Sequence, residues 1–102
     1  MRIKVFADTI CGWCYISHTR FLKVVKNFKN KSFVFEHVPF QLNPDMPKKG
    51  IKRQDYLKYK FGSEEAVKPM YDSMIQEALK ENLKFNLEKI QITPNTNFSH
   101  IL

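Results

Sequence analysis

Cysteine and glycine are both scarce in this chain of 102 residues, which holds two of the first and three of the second. Two cysteines cannot make a disulfide scaffold, which needs several bridges. They stand three positions apart, at Cys11 and Cys14, and a bond closing so short a loop removes little unfolded-state entropy. Three glycines and five prolines leave no room for a flexible linker, a repeat or a low-complexity tract. No stretch approaches the roughly 20 apolar residues that a membrane-spanning helix requires. The first eight residues, Met1 to Asp8, alternate in polarity, where a secretory signal would carry an apolar run. The resulting expectation is a cytoplasmic protein without a membrane partner. Acidic residues are outnumbered, at 10 against 17 Lys and Arg, for a net charge of +7.

Such a charge would suit nucleic acid if it were gathered on one face. The cations are instead dispersed along the chain, and the densest group, Lys48, Lys49, Lys52 and Arg53, falls in a turn-rich segment. No RNP, zinc-finger or helix-turn-helix signature accompanies them, so no nucleic-acid partner is expected and the bland reading is a solvated Lys-rich surface.

What is present is apolar material: 43% of the residues are hydrophobic and nine are Phe, enough for the core of one domain. Residues 2–9 read as a strand, with Ile3, Val5 and Ala7 on one face and Phe6 on the other. Residues 12–28 read as a helix, in which Phe21, Val24, Val25 and Phe28 follow amphipathic spacing and Ile16 and Leu22 widen the stripe. Residues 32–40 read as a second strand. Strand, helix and strand in about forty residues make a βαβ unit with parallel strands. Residues 41–50 carry Asn43-Pro44-Asp45, Pro47 and Gly50 and read as a loop. Beyond it a short helix with Tyr56, Leu57 and Phe61 stops at Gly62, and Ser63 opens another. In that helix Met70, Met74 and Leu79 would share one side with Val67, Tyr71, Ile75 and Ala78 as core. Pro69 either kinks it or marks where its regular part starts. Residues 82–93 are irregular, and Asn95 or Thr96 would cap a last helix carrying Phe98, Ile101 and Leu102.

Chemistry points to Cys11-Gly12-Trp13-Cys14, where the first strand gives way to the first helix. A thiolate is the nucleophile of disulfide exchange, and a helix N-terminus offers free N–H groups and partial positive charge to stabilise it. A lowered Cys11 pKa is therefore expected. Cys14, one turn on, would lie within reach of the first sulfur. Cys11 would attack a substrate disulfide and Cys14 would resolve the mixed disulfide. Trp13, between two reactive thiols, would be exposed as a contact for partner peptides. Asp8 faces solvent or helps hold the turn; pointing inward, its charge would oppose the thiolate. His37, on an apolar strand face, reads as a core or satisfied histidine rather than a catalyst.

Other readings of the pair stand beside this one. A zinc site would want a second Cys pair, absent here, although His18 falls four residues past Cys14 and would make a third ligand. Two inert buried thiols are the other structural reading. The βαβ setting favours redox chemistry over both, with no resident metal.

The segment Val5-Phe6-Ala7-Asp8-Thr9-Ile10-Cys11-Gly12-Trp13-Cys14-Tyr15-Ile16 resembles the start of the DsbA-like thioredoxin-fold oxidoreductases of the FrnE branch. Pro39-Phe40-Gln41-Leu42-Asn43-Pro44-Asp45 is similar to the segment ending that family's second strand. Tyr56-Leu57, Lys60-Phe61-Gly62, and Asn95-Thr96 with His100 match in order and spacing. Gly12 departs from the proline usual between the family's cysteines. The resemblance implies an α/β fold, a thioredoxin-like βαβ unit followed by the start of an inserted α-helical domain. It divides the chain into residues 1–45 and 46–102. It implies a bacterial protein disulfide oxidoreductase with Cys11 attacking and Cys14 resolving, and with Asn43, Pro44, Asn95 and Thr96 bordering the substrate cleft.

A related branch holds 2-hydroxychromene-2-carboxylate isomerases and kappa-class glutathione transferases, which usually carry Ser at the first position. The alternative functions are accordingly a glutathione-dependent isomerase or transferase, or a non-catalytic basic binding module. Partners would be protein or small-molecule thiols and disulfides, with glutathione as the one co-substrate considered and no other cofactor. The family's later strands and cis-proline loop have no counterpart, so the expectation is an N-terminal part, weakly active or inactive by itself, whose incomplete sheet a partner copy would extend.

Overall fold

The computed structural model describes residues 1–28 and 32–101. The chain forms two compact units, Met1–Leu42 with Thr96–Leu102, and Asn43–Asn95.

In the first unit, strand β1 (Arg2–Ala7) pairs in parallel with β2 (Val34–Pro39), placing Ile3 beside Phe35, Val5 beside His37 and Ala7 beside Pro39. Parallel neighbours need a crossover, and helix α1 (Gly12–Val25) provides it. Ile3, Val5 and Ala7 are half-buried while Arg2, Lys4 and Phe6 are exposed. Helix α1 covers the first face: Ile16 is fully buried, and the Phe21 ring meets Phe35 edge-on at 5.3 Å. Phe28 meets Phe33 in the same way at 6.3 Å. The helix ends three residues earlier than its apolar spacing predicts. The N–H groups of Asn27 and Phe28 turn to the carbonyls of Val24 and Val25, three residues back, so the last turn tightens. Phe28 still packs without being helical. His37 is exposed rather than in the core, its ring edge against His18 at 5.2 Å.

The second unit holds β3 (Ile51–Lys52), α2 (Arg53–Phe61), α3 (Glu64–Lys80), a 3-10 turn (Leu87–Lys89) and β4 (Ile92–Thr93). Gly62 stops α2 in the left-handed region at φ 88°, its N–H on the Lys58 carbonyl at 2.9 Å. Ser63 caps α3 by accepting the Ala66 N–H at 3.2 Å, and that helix runs through Pro69. Proline removes one backbone donor there without ending the helix. Met46, Tyr56, Leu57 and Val67 form the core, with Ile51, Phe61 and Tyr71 against it. Along α3 the buried side is centred on Val67 and Ala78, so Met70 and Leu79, read as core, are exposed instead.

Strands β3 and β4 pair antiparallel, Ile51 beside Thr93 and Lys52 beside Ile92. Both lie outside the elements read from sequence, because two residues carry no periodicity. Arg53 secures this corner, its guanidinium donating to the Tyr71 hydroxyl at 2.6 and 2.9 Å and to Thr93 Oγ1 at 3.1 Å. Helix α4 (Asn97–Ile101) returns to the first unit. Phe98 and Ile101, expected on its apolar side, are exposed, and Leu102 lies outside the described residues. No helix among the described residues is long and apolar enough to cross a membrane.

Gly50 precedes β3 at φ 77°, and a Cβ there would stand 2.7 Å from the Ile92 methyl and 2.8 Å from the Thr93 carbonyl oxygen. Positive φ and the close backbone approach both demand glycine. Gly50→Ala is expected to destabilise the second unit by about 2 kcal/mol. Urea unfolding followed by amide exchange at Ile51 and Thr93 would measure it, and an unchanged midpoint would refute the account.

Candidate active site

Cys11 is the N-cap of α1, with extended backbone, and its Sγ accepts the Cys14 N–H at 3.2 Å. Sulfur occupies the place where Ser, Thr or Asp ordinarily satisfies a first-turn donor. The Tyr15 N–H reaches the Cys11 carbonyl at 3.3 Å, closing the first turn, and the Cys11 N–H bonds the Asp8 carbonyl at 3.1 Å. No acidic side chain occupies that turn. Both cysteines are free thiols and half-buried.

The sulfur environment corrects one expectation. Burial pushes the Cys11 thiol above its ordinary range, and hydrogen bonding and charge repulsion from the Cys14 thiol add to it. The backbone N–H groups of Cys14 and Trp13 pull the other way and do not prevail. Removal from water disfavours the anion more than the helix terminus favours it, and the Cys14 thiol adds to the same side.

Asp8 points inward. It is 4% exposed, and its carboxylate accepts the Leu42 N–H at 2.7 Å. His100 Nε2 lies 3.1 Å from the other carboxylate oxygen and 2.9 Å from the Phe40 carbonyl oxygen. Since both neighbours are acceptors, Nε2 carries the hydrogen and shares it. The Thr96 hydroxyl and the Ile10 N–H complete the set. Burial raises the carboxyl pKa, but the donors outweigh it, so Asp8 sits below the ordinary carboxylate range. Thr9 and Ser99 join their hydroxyls at 2.6 Å beside this group. Asp8 thus holds the motif turn to the segment after β2 and to the start of α4.

A groove of 860 Å³ opens beside the dithiol, lined by Cys11, Trp13, Cys14, Phe21, Ser99 and His100 among others. Trp13 is 41% exposed in it. All three histidines of the chain, His18, His37 and His100, line it. The other residues expected at the cleft are placed differently. Thr96 is 4% exposed and bonds Asp8, while Asn43 donates to the Tyr56 hydroxyl at 3.2 Å and Asn95 to the Met46 carbonyl at 2.6 Å within the second unit. None of these three, nor Pro44, lines the groove. Asp8, Thr9, Ser99 and His100 were not singled out as site residues by sequence reasoning. The order of Asn95-Thr96 and His100 was the one signal pointing to His100. Among the described residues, no group of three or more His, Cys, Asp or Glu could hold a metal ion.

Residues 2–102 match the family model of the DSBA-like thioredoxin domain. The chain belongs to that family. Its structure is similar to the crystal structure of a probable DsbA oxidoreductase from Streptomyces coelicolor, with a TM-score of 0.84 and 26% sequence identity. That match covers 98% of this chain and 44% of the Streptomyces chain, so the 102 residues span under half of that protein. No curated protein matches. The α/β class and the thioredoxin-like βαβ unit expected from sequence are thereby shown, and an oxidoreductase in general is what the family supports.

Two outcomes follow from the electrostatics. Cys11 alkylation by iodoacetamide should reach half its limiting rate above about pH 8.5, the free-thiol value. A midpoint at or below neutrality would contradict the burial argument. A depressed carboxyl pKa means that the Asp8 contribution is complete above the unfolded value of about 4 and is lost as pH falls through the folded value. Asp8→Asn should therefore cost about 1–3 kcal/mol at pH 7, read by urea unfolding of Trp13 fluorescence. The gap from wild type should close below about pH 4; a gap that stays constant to pH 2 would show that charge is not the cause.

Proposed function

We propose that the chain is a thiol–disulfide oxidoreductase of the FrnE branch, working through Cys11 and Cys14. The observation that carries this reading is the bond from the Cys14 N–H to Cys11 Sγ at the start of α1, which sets the two thiols one turn apart at the mouth of a groove. In the reducing direction, Cys11 thiolate attacks one sulfur of a substrate disulfide. The substrate S–S bond breaks, a Cys11–substrate disulfide forms, and the departing thiolate takes a proton from water. Cys14, deprotonated in turn, attacks Cys11 Sγ and expels the second substrate thiolate, leaving a Cys11–Cys14 disulfide. The substrate gains two electrons and the dithiol loses two. The reverse sequence oxidises a substrate dithiol. The Cys14 N–H stabilises the anion at Cys11 both on attack and as leaving group. Trp13, exposed in the groove, is the proposed substrate contact.

With an excess of oxidised glutathione, Cys14→Ser should accumulate a one-to-one mixed disulfide at Cys11, detected as a glutathionyl mass shift. Wild type should pass through it to the internal disulfide and release free thiol. Cys11→Ser should react at least about tenfold more slowly, since the remaining thiol lacks the capping donor. Equal behaviour of wild type and Cys11→Ser would sink the proposal.

A further inference from the structure

Resolution needs a proton to leave. Cys14 must lose its S–H hydrogen before its sulfur can attack Cys11, and a free thiol is mostly protonated at neutral pH. The Cys14 N–H is committed to Cys11 Sγ and does nothing for the Cys14 sulfur itself.

Few groups along the groove can take that proton. Its lining holds no Lys or Arg, and its one carboxylate is Asp8, which already accepts from Leu42, Thr96, His100 and Ile10. His100 lies on α4 and is tied through Nε2 to Asp8 and the Phe40 carbonyl. Two imidazoles remain, His18 on α1 and His37 on β2, and neither makes a hydrogen bond to a described residue.

His18 stands four residues after Cys14 on the same helix, so the two share one face. Helical side chains lean toward the N-terminus, which carries the His18 ring back over the turn that holds Cys14. The His37 ring meets it edge-on, with centroids 5.2 Å apart and planes at 62°, and limits how far it can swing away. His18 is half-buried and His37 exposed, so water is close at hand to the pair. As a metal ligand His18 has too few companions among the described residues. As a base it needs none, since imidazole takes up and gives back protons near neutral pH.

We infer that His18 is the base of the resolving step, accepting the Cys14 proton as that sulfur attacks the Cys11 mixed disulfide. This rests on the dithiol exchange proposed above. The Cys14 S–H bond breaks and its proton passes to a His18 ring nitrogen, while Cys14 sulfur bonds to Cys11 Sγ. The bond from Cys11 to the substrate sulfur breaks, and its electron pair leaves with that sulfur. The imidazolium then returns the proton to the departing thiolate. The dithiol is oxidised by two electrons, the substrate is reduced by two, and His18 is unchanged. His37 acts as a positioning residue through its contact with the His18 ring.

The full 102-residue chain, reduced and mixed with oxidised glutathione at neutral pH, separates the two steps when samples are quenched in acid and weighed by mass spectrometry. His18→Phe keeps a ring against His37 and should form the glutathionyl adduct at Cys11 as fast as wild type, within about twofold. Its adduct should then persist about a hundredfold longer, the lower end of what a general base supplies. Imidazole in the buffer should shorten the adduct lifetime of His18→Ala, where the place is vacated. It should leave wild type and His18→Phe unchanged, which separates a missing base from a disturbed helix. Equal adduct lifetimes in wild type and His18→Phe, slowing of both steps alike, or no response of His18→Ala to imidazole would overturn the inference. A wild type whose adduct never gives the internal disulfide would overturn the exchange reading and this inference with it. Normal resolution by His18→Phe would overturn this inference alone.

Discussion

A carboxylate held out of water has to be paid for in hydrogen bonds, and the arrangement around Asp8 follows from that requirement. Four donors converge on it, from Ile10 and Leu42 backbone, the Thr96 hydroxyl and His100 Nε2. They come from three stretches of chain: the motif turn, the segment after β2, and α4 with the residue before it. Leaving any one out would strand part of a buried charge, which is more costly than losing an ordinary surface contact. The position of Cys11 is set by the same residue, since its N–H bonds the Asp8 carbonyl while the Asp8 side chain accepts the N–H of the preceding Ile10.

Burial and the neighbouring Cys14 thiol work against ionisation of Cys11, and the helix terminus alone does not reverse it. Reactivity is not set by thiolate fraction alone, because nucleophilicity falls as the thiol pKa falls. A thiol with a raised pKa is a slower attacker at neutral pH and, once in a disulfide, a poorer leaving group. The Cys14 N–H counters both effects in the transition state, where charge is spread over sulfur and the donor is already in place. The positive balance of the surrounding unit acts in the same direction at longer range.

Much of this was legible in the sequence, and the parts that were not share a cause. The βαβ unit came from periodicity in residues 2–40, and the motif came from the spacing of Cys11 and Cys14 at a strand-to-helix junction. Gly62 and Ser63 announced the end of one helix and the start of the next through local backbone chemistry. Asp8 could not be assigned a direction, because its donors lie as far away as His100, 92 residues on, and no local pattern encodes a contact of that range. The pairing of Ile51 with Thr93 was hidden for the same reason, with two-residue strands adding no periodic signal. Gly50 was visible as a turn residue, but the reason only glycine fits there lies in Ile92 and Thr93.

The raised Cys11 pKa illustrates where local reasoning stops. A cysteine at a helix N-terminus suggests an acidic thiol, and that argument counts donors correctly: the Cys14 and Trp13 N–H groups do favour the anion. What it omits is competition. The second thiol is held against the first by the spacing that makes the pair useful, so it occupies the place of solvent and brings its own incipient charge. A dithiol at this junction is thus subject to two opposed demands, closeness for resolution and separation for ionisation. A partner that supplies positive charge, or a substrate that displaces Cys14 from Cys11, would relieve the conflict during attack rather than at rest.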